Sequence, residues 1–139
     1  MTMIICAEKS DKKDIKRFYK QQKYNARFLG DDACYFIKDN EQIIACVIIS
    51  YQHRSPFLHG LCVDGTHRHQ GIARQLLTHC QHLHQHIYCF AQDSLAGLYL
   101  NSHFSQVSQD TLPNSLQTRF TSYLRKQTNL VAFYHQSNS

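Results

Sequence analysis

Val63-Asp64-Gly65-Thr66-His67-Arg68-His69-Gln70-Gly71-Ile72-Ala73-Arg74-Gln75-Leu76-Leu77 is the stretch whose reading settles the architecture. It leaves an apolar run, crosses a polar loop and enters a pattern in which Ala73, Leu76, Leu77, Cys80 and Leu83 recur at helical spacing, the stripe of an amphipathic helix lying on a sheet. A helix N-terminus is therefore expected at a strand end. The first backbone N–H groups of such a helix have no partner inside it, and together with the helix dipole they form an anion site. Gly71 lets a ligand come close to the backbone, and Ala73 keeps the first turn small. A dinucleotide fold would place Gly-x-Gly-x-x-Gly here and a P-loop would end in Gly-Lys-Ser/Thr; the stretch has neither.

Upstream, Pro56 precedes an extended segment from Phe57 to Val63, and the segment Gln42 to Tyr51 contains Ile43 to Ile49, apolar on both faces as in a strand covered from both sides. Cys34 to Lys38 joins it across a tight turn at Asp39 and Asn40. Met3 to Ala7 reads as a first strand, followed by a helix that Ser10 caps, with Asp11 and Asp14 in its early turns and Ile15, Phe18 and Tyr19 facing inward. Tyr24 to Asp32 is irregular. Downstream, His86 to Ala91 is a strand, Asp93 caps a short helix with Leu95, Leu98 and Tyr99 on one face, and Phe104 to Val107 is extended. Pro113 opens a helix carrying Leu116, Phe120, Tyr123 and Leu124, and Leu130 to Tyr134 is the last strand. Hairpins build the first half, and a strand-helix-strand crossover lies in the second.

Composition agrees with a folded chain: 139 residues, 42% hydrophobic and 18% charged, enough for a core without disulfides or a structural metal, and read as one domain over residues 1–139. The longest apolar run is far too short to cross a bilayer, and the first residues lack the basic flank and apolar stretch of a signal peptide, so a cytoplasmic location and no membrane partner are expected. Cys6, Cys34, Cys46, Cys62, Cys80 and Cys89 are dispersed without a CxxC pair and read as reduced thiols, five of them in apolar segments. The net charge of +5 permits an anionic partner without choosing one; basic residues are scattered, so a nucleic-acid partner is not expected.

Arg68-His-Gln-Gly71-Ile-Ala73 resembles the (Gln/Arg)-x-x-Gly-x-(Gly/Ala) signature of the GNAT superfamily of N-acetyltransferases. Leu61-Cys62-Val63 lies upstream where that family has its strand, and Leu98-Tyr99-Leu-Asn-Ser-His103-Phe104 resembles its second landmark, with His103 in place of the usual glycine. The resemblance implies an α/β (α+β) fold, a mixed and mostly antiparallel twisted sheet of about six to seven strands flanked by about four helices. It implies acetyl-CoA as co-substrate and direct transfer of the acetyl group to a primary amine on a small molecule or a protein. The cofactor would be held by the backbone of Leu61, Cys62 and Val63 and by Arg68, His69, Gln70, Gly71, Ile72, Ala73 and Arg74, with the two arginines adding charge at the phosphates.

In the same resemblance Tyr99 protonates the departing thiolate. His59 is the candidate base, since an imidazole of ordinary pKa accepts an ammonium proton directly or through water, and strand alternation would put His59, Leu61 and Val63 on one face. Cys62 reads as core packing rather than a nucleophile. His79, His82, His84 and His86 are close in sequence, but a helix followed by its exit gives no convergent ligand set, and no metal is expected. The other reading is an inactive acyl-CoA-binding regulatory module. The acceptor pocket is expected from Tyr24 to Asp32, Gln52 to Ser55 and Ser108 to Leu116, in a monomer or homodimer.

Overall fold

The computed structural model describes residues 3–51 and 54–137. Seven strands, β1 (Ile4–Cys6), β2 (Ala33–Asp39), β3 (Gln42–Ser50), β4 (Phe57–Val63), β5 (His86–Gln92), β6 (Ser105–Val107) and β7 (Leu130–Gln136), form one sheet in the order β1-β2-β3-β4-β5-β7-β6. Every neighbouring pair is antiparallel except β4 and β5, the pair joined through a helix. Four helices flank it: α1 (Lys12–Gln21), α2 (Ile72–Leu83), α3 (Ala96–Asn101) and α4 (Asn114–Leu124).

The two-sided run in β3 explains the layering. Ala45, Val47 and Ile49 pack with Leu76, Leu77 and Cys80 of α2 and Tyr99 of α3, while Cys46 and Ile48 pack with Ile15, Phe18 and Tyr19 of α1. Beyond α1 on that second face, Leu116 and Phe120 of α4 close over Phe57 and Ala132. Each large apolar side chain buried in this way contributes about 1.5–3 kcal/mol of transfer free energy, which is what fixes the helices on the sheet.

Several local expectations are corrected by the structure. Ser10 sits inside a 3-10 turn, Lys9–Asp11, closed by a capping box in which the Asp11 carboxylate accepts the Glu8 N–H at 2.8 Å; Asp11 takes the N-cap position of α1, where its side chain makes no cap bond. The β2–β3 turn lies one residue later than expected, at Asn40 and Glu41, both at positive φ, because Asp39 pairs with Gln42. Asp93 belongs to a 3-10 turn, Asp93–Leu95, ahead of α3, and Leu95 points outward at 48% exposure. Leu83, the last residue of α2, is also outside the core; the buried stripe of that helix runs Ile72, Leu76, Leu77, Cys80 and Gln81. All six cysteines are free thiols, five of them buried. No helix among the described residues is long and apolar enough to cross a membrane.

Candidate active site

The sheet opens at its one parallel junction. β4 and β5 pair only at Phe57 with Tyr88 and Leu58 with Cys89, whereas β4 keeps its pairing to β3, and β5 to β7, along the rest of their length. Beyond Leu58 the second edge of β4 therefore faces a gap. A β-bulge reinforces the divergence: Cys46 opposes Cys62 and Ile48 opposes His59, so Gly60 and Leu61 share one position opposite Val47. Gly60 lies at φ +68°, and a Cβ there would stand 2.8 Å from the Tyr19 hydroxyl and 3.1 Å from Ala26. Tyr19 uses that closeness, donating its hydroxyl to the Gly60 carbonyl at 2.7 Å inside the α1 layer.

The bulge overturns the even alternation expected along this strand. Leu61 and Val63 pack toward the α2 layer, Cys62 packs with α1, and His59 stacks on Phe57, which lies under α4. The extra residue moves everything after it to the opposite face. Cys62 is thus directed away from the gap, with burial pushing its thiol pKa up against the opposing influence of Arg68. The Asp64 N–H bonds to Ile44 of β3 at 2.7 Å, so the main-chain groups of Val63, one residue back, point into the gap. There the Arg68 Nε donates to the Val63 carbonyl at 3.3 Å.

The loop that follows is tied down before it reaches the helix. Asp64 accepts from the Thr66 hydroxyl and amide, from Gln22 Nε2 at 2.8 Å and from His67, contacts that hold its carboxyl well below the usual range. His67 in turn meets Asp39 at 3.0 Å; the Asp39 and then the Asp64 carboxylates raise its pKa. Two left-handed residues, His69 at φ +65° and Gly71 at +76°, then turn the chain into α2. The first helical bond is Gln75 N–H to the Gly71 carbonyl at 3.0 Å, which leaves the N–H groups of Ile72, Ala73 and Arg74 ahead of it for a ligand. A Cβ at Gly71 would touch nothing within 4 Å, and no acidic residue sits in the first turn. An open cradle of N–H donors beside Arg68 and Arg74 fits a pyrophosphate in charge and in space. From it a groove of about 460 Å³ runs along α2 past Arg74, Thr78 and His82.

At the closed end of the gap stand the proton-bearing side chains. Tyr99 stacks on Phe133 at 5.0 Å and meets the edge of Phe104 at 5.6 Å. Burial pushes its phenol pKa far up, with further contributions from Cys89, at the last β4–β5 pair, and from Tyr24 on the opposite face of the sheet. His59 lies next to the bulge, and burial, then Arg119, lowers its pKa to about 4 against the opposing pull of Asp32. The wall beside it is aromatic. The Arg119 guanidinium rests 4.8 Å from the Phe57 ring centre and its Nε donates to the Tyr123 hydroxyl at 2.9 Å; Tyr24 packs on Tyr19 at 5.8 Å.

His103 adopts the left-handed conformation, φ +69°, that a glycine would take without penalty, and its carbonyl accepts from His135 Nδ1 at 2.8 Å. The turn after α3 thereby keeps its shape, with Phe104 N–H bonded to the Tyr99 carbonyl at 3.0 Å. The clustered histidines go separate ways: His84 bridges the Tyr35 and Tyr51 hydroxyls at 2.9 and 2.8 Å, His86 meets Tyr134 at 2.7 Å, and His79 packs edge-on against Tyr35. No group of three His, Cys, Asp or Glu among the described residues is arranged to hold a metal ion. A hollow of about 730 Å³ lined by His82, His103 and His135 lies at the start of β5, away from the gap.

The structure sets His59 beside the β4 bulge and the Arg68–Arg74 turn between the splayed strand and α2; Gly60 and Arg119 were not singled out from the sequence, Tyr19 was read only as an inward-facing helix residue, and Asp32 only as the end of the irregular Tyr24 to Asp32 segment. Gly60 carried a signal, a glycine inside an apolar strand; Arg119 carried none. Gln52 and His53, in the loop expected to border the acceptor, lie outside the described residues.

The family model described as an acetyltransferase (GNAT) domain matches residues 30–108 of the chain. Among solved structures, N-acetylglutamate synthase from Neisseria gonorrhoeae, complexed with coenzyme A and N-acetyl-glutamate, superposes with a TM-score of 0.77 at 14% identity, over 100% of this chain and 36% of that one. The chain thus spans about a third of that enzyme's length. A GNAT-family acetyltransferase from Staphylococcus aureus Mu50 gives 0.66 at 15% identity, covering 98% and 99%. The ribosomal-protein-S18-alanine N-acetyltransferase from Escherichia coli gives 0.65 at 13%, covering 100% and 96%. Likeness at such identities carries the fold alone. No curated protein sequence matches the chain significantly.

Proposed function

The chain belongs to the GNAT family of acetyltransferase domains, and on that premise we propose that it moves an acetyl group directly from acetyl-CoA to a primary amine in the gap between β4 and β5. The observation that carries this reading is the splay of β4 from β5 beyond Leu58, which frees the second edge of β4 just ahead of the open Gly71 cradle. Acetyl-CoA, when bound, supplies an activated thioester; the rest falls to the chain.

The N–H groups from His69 through Arg74 hold the phosphates, mostly by main chain, while Arg68 and Arg74 add charge. The outward groups of Leu61 and Val63 align the pantetheine arm as an added strand. Holding both reactants in register is worth about 7–11 kcal/mol of barrier in the best intramolecular cases, and this is the largest contribution asked of the fold. Tyr99, kept protonated by burial, gives its proton to the leaving sulfur. His59 is neutral at physiological pH. With a pKa of about 4 it is a poor resting place for a proton from an alkylammonium near 10, so it accepts that proton in passing and relays it to water. Cys62, turned into the core with a raised thiol pKa, takes no covalent part. A cytoplasmic setting belongs to the same reading and is supported by the six unpaired thiols.

Calorimetric titration tests the cofactor site. Acetyl-CoA is expected to bind the native protein in the micromolar range and to lose at least a hundredfold in affinity with Gly71→Glu, which sets a carboxylate in the open cradle. A folded native protein that does not bind acetyl-CoA would overturn the reading. Binding without turnover on a broad amine panel would favour a regulatory module.

A further inference from the structure

Between Val63 and the end of α2 the only carboxylate is Asp64, and it stands just ahead of the open cradle. By charge alone an acid is unfavourable beside phosphate, so its bonding partners decide what it does there. Its Oδ1 accepts from Gln22 Nε2 at 2.8 Å, and its Oδ2 meets the Thr66 amide and hydroxyl and His67 Nδ1. The other ring nitrogen of His67, Nε2, reaches Asp39 at 3.0 Å. A chain of side chains thus runs from the end of α1, through the loop, to the β2–β3 turn. Main chain reinforces it: the Asp64 N–H bonds to Ile44 at 2.7 Å, and the Asp64 carbonyl accepts from the His67 N–H at 2.9 Å.

Resting on the acetyltransferase reading, we propose that Asp64 is a positioning residue for the cofactor's pyrophosphate, holding the turn from His69 to Arg74 in its phosphate-binding shape through Gln22 and the His67–Asp39 pair.

Immediately downstream this bonding stops. Among the described residues, no side-chain hydrogen bond or ion pair holds residues 69–74. The left-handed backbone at His69 and Gly71 therefore takes its direction from the fixed segment before it. α1 is placed to set that direction. Tyr19 and Gln22, three residues apart, bond to Gly60 at the bulge and to Asp64 at the strand's exit, at 2.7 and 2.8 Å, so one helix grips β4 at both points.

The hold depends on the proton carried by His67. Its two ring nitrogens both face carboxylates, Asp64 at 3.3 Å and Asp39 at 3.0 Å, and only the imidazolium has an N–H for each. The neutral ring turns a lone pair toward one of them and leaves the loop more negative. Asp39 and then Asp64 raise the His67 pKa; they are the charged groups acting on it, since α1 presents the uncharged Gln22 to the same cluster. With the pKa raised, the hold is complete in the weakly acid range and is lost as pH rises through that pKa.

The test measures acetyl-CoA affinity by calorimetry from about pH 6.5 to about pH 9, with thermal unfolding of each variant alongside. Native affinity should fall by about fivefold or more across this range; His67→Gln should hold it near the native high-pH level throughout, and Asp39→Asn should move the fall to lower pH. At neutral pH, Gln22→Ala should raise the acetyl-CoA Kd and KM by about fivefold, with kcat at saturation within about twofold. Gln22→Lys, which returns an N–H donor to Asp64, should recover most of that loss, and Gln22→Glu should deepen it. A native pH dependence untouched by His67→Gln, or folded Gln22→Ala and His67→Gln proteins with native affinity, would overturn the positioning role alone. A native protein that binds no acetyl-CoA at any pH would overturn the underlying reading, and this inference with it.

Discussion

The two sides of β4 are made of different material. Toward α2, the candidate cofactor surface is main chain: the Val63 groups released by the splay, the N–H groups ahead of Gln75, and left-handed backbone at His69 and Gly71. Toward α4, the candidate acceptor surface is side chain: His59 from β4, Arg119 and Tyr123 from α4, Asp32 and Tyr24 from the segment before β2. A main-chain surface is set by backbone conformation and tolerates most changes of side chain nearby. A side-chain surface depends on which residues a distant helix and loop bring in, so it can be re-specified while the fold and cofactor site stay in place.

The contrast can be broken most forcefully at the element both surfaces share. Gly60→Ala adds a Cβ at positive φ and within 2.8 Å of the Tyr19 hydroxyl; it should destabilise the fold by about 3 kcal/mol in urea unfolding and weaken acetyl-CoA binding too. A loss under about 1 kcal/mol would mean that the bulge rebuilds without glycine. Next in size is Tyr99→Phe, which keeps the stack on Phe133 and removes only the proton. It should lower kcat about a hundredfold with acetyl-CoA affinity intact, and an unchanged kcat would assign Tyr99 to packing.

The acid side of the pH profile probes the other surface. His59 is in its base form at neutral pH and takes a proton only as pH falls through about 4, so kcat/KM should stay level down to the weakly acid range and drop below it. Removing the Arg119 charge takes away an influence that lowers this pKa, so the limb should move upward in Arg119→Gln, though not as far as 6.5, because burial is the larger cause. A limb already near 6.5 in the native protein would mean His59 is not the group titrated. Smallest is His103→Gly: relieving one left-handed non-glycine residue should stabilise the protein by about 1 kcal/mol in urea unfolding, with kcat unchanged, since the turn already has the shape glycine would give it.

This difference in material also explains what could be read in the sequence. The strand, loop and helix from Leu61 to Leu77 announce themselves through a change of hydrophobic period and a glycine at the joint, both local signals. The two-sided character of β3 was equally visible, because a strand buried on both faces is apolar without alternation. What was lost is non-local or subtle. Alternation from His59 to Val63 fails because one inserted residue inverts every side chain after it, and Arg119, sixty residues from His59, carries no local mark of its destination. Helix ends slipped by a residue or two where 3-10 turns precede α1 and α3, a boundary that capping residues alone do not locate.

One bond described above bears on how tightly the cleft can hold its occupant. Arg68 already donates to the Val63 carbonyl, so an incoming amide does not find an orphan acceptor there but must exchange with a protein donor for little net gain. In the binding mode proposed above, the exchange becomes favourable because the same arginine is drawn off by phosphate. The two ends of a long cofactor are then thermodynamically coupled: a fragment lacking phosphates meets an occupied seat, one lacking the arm leaves the carbonyl stranded, and the intact molecule binds more tightly than its halves would foretell.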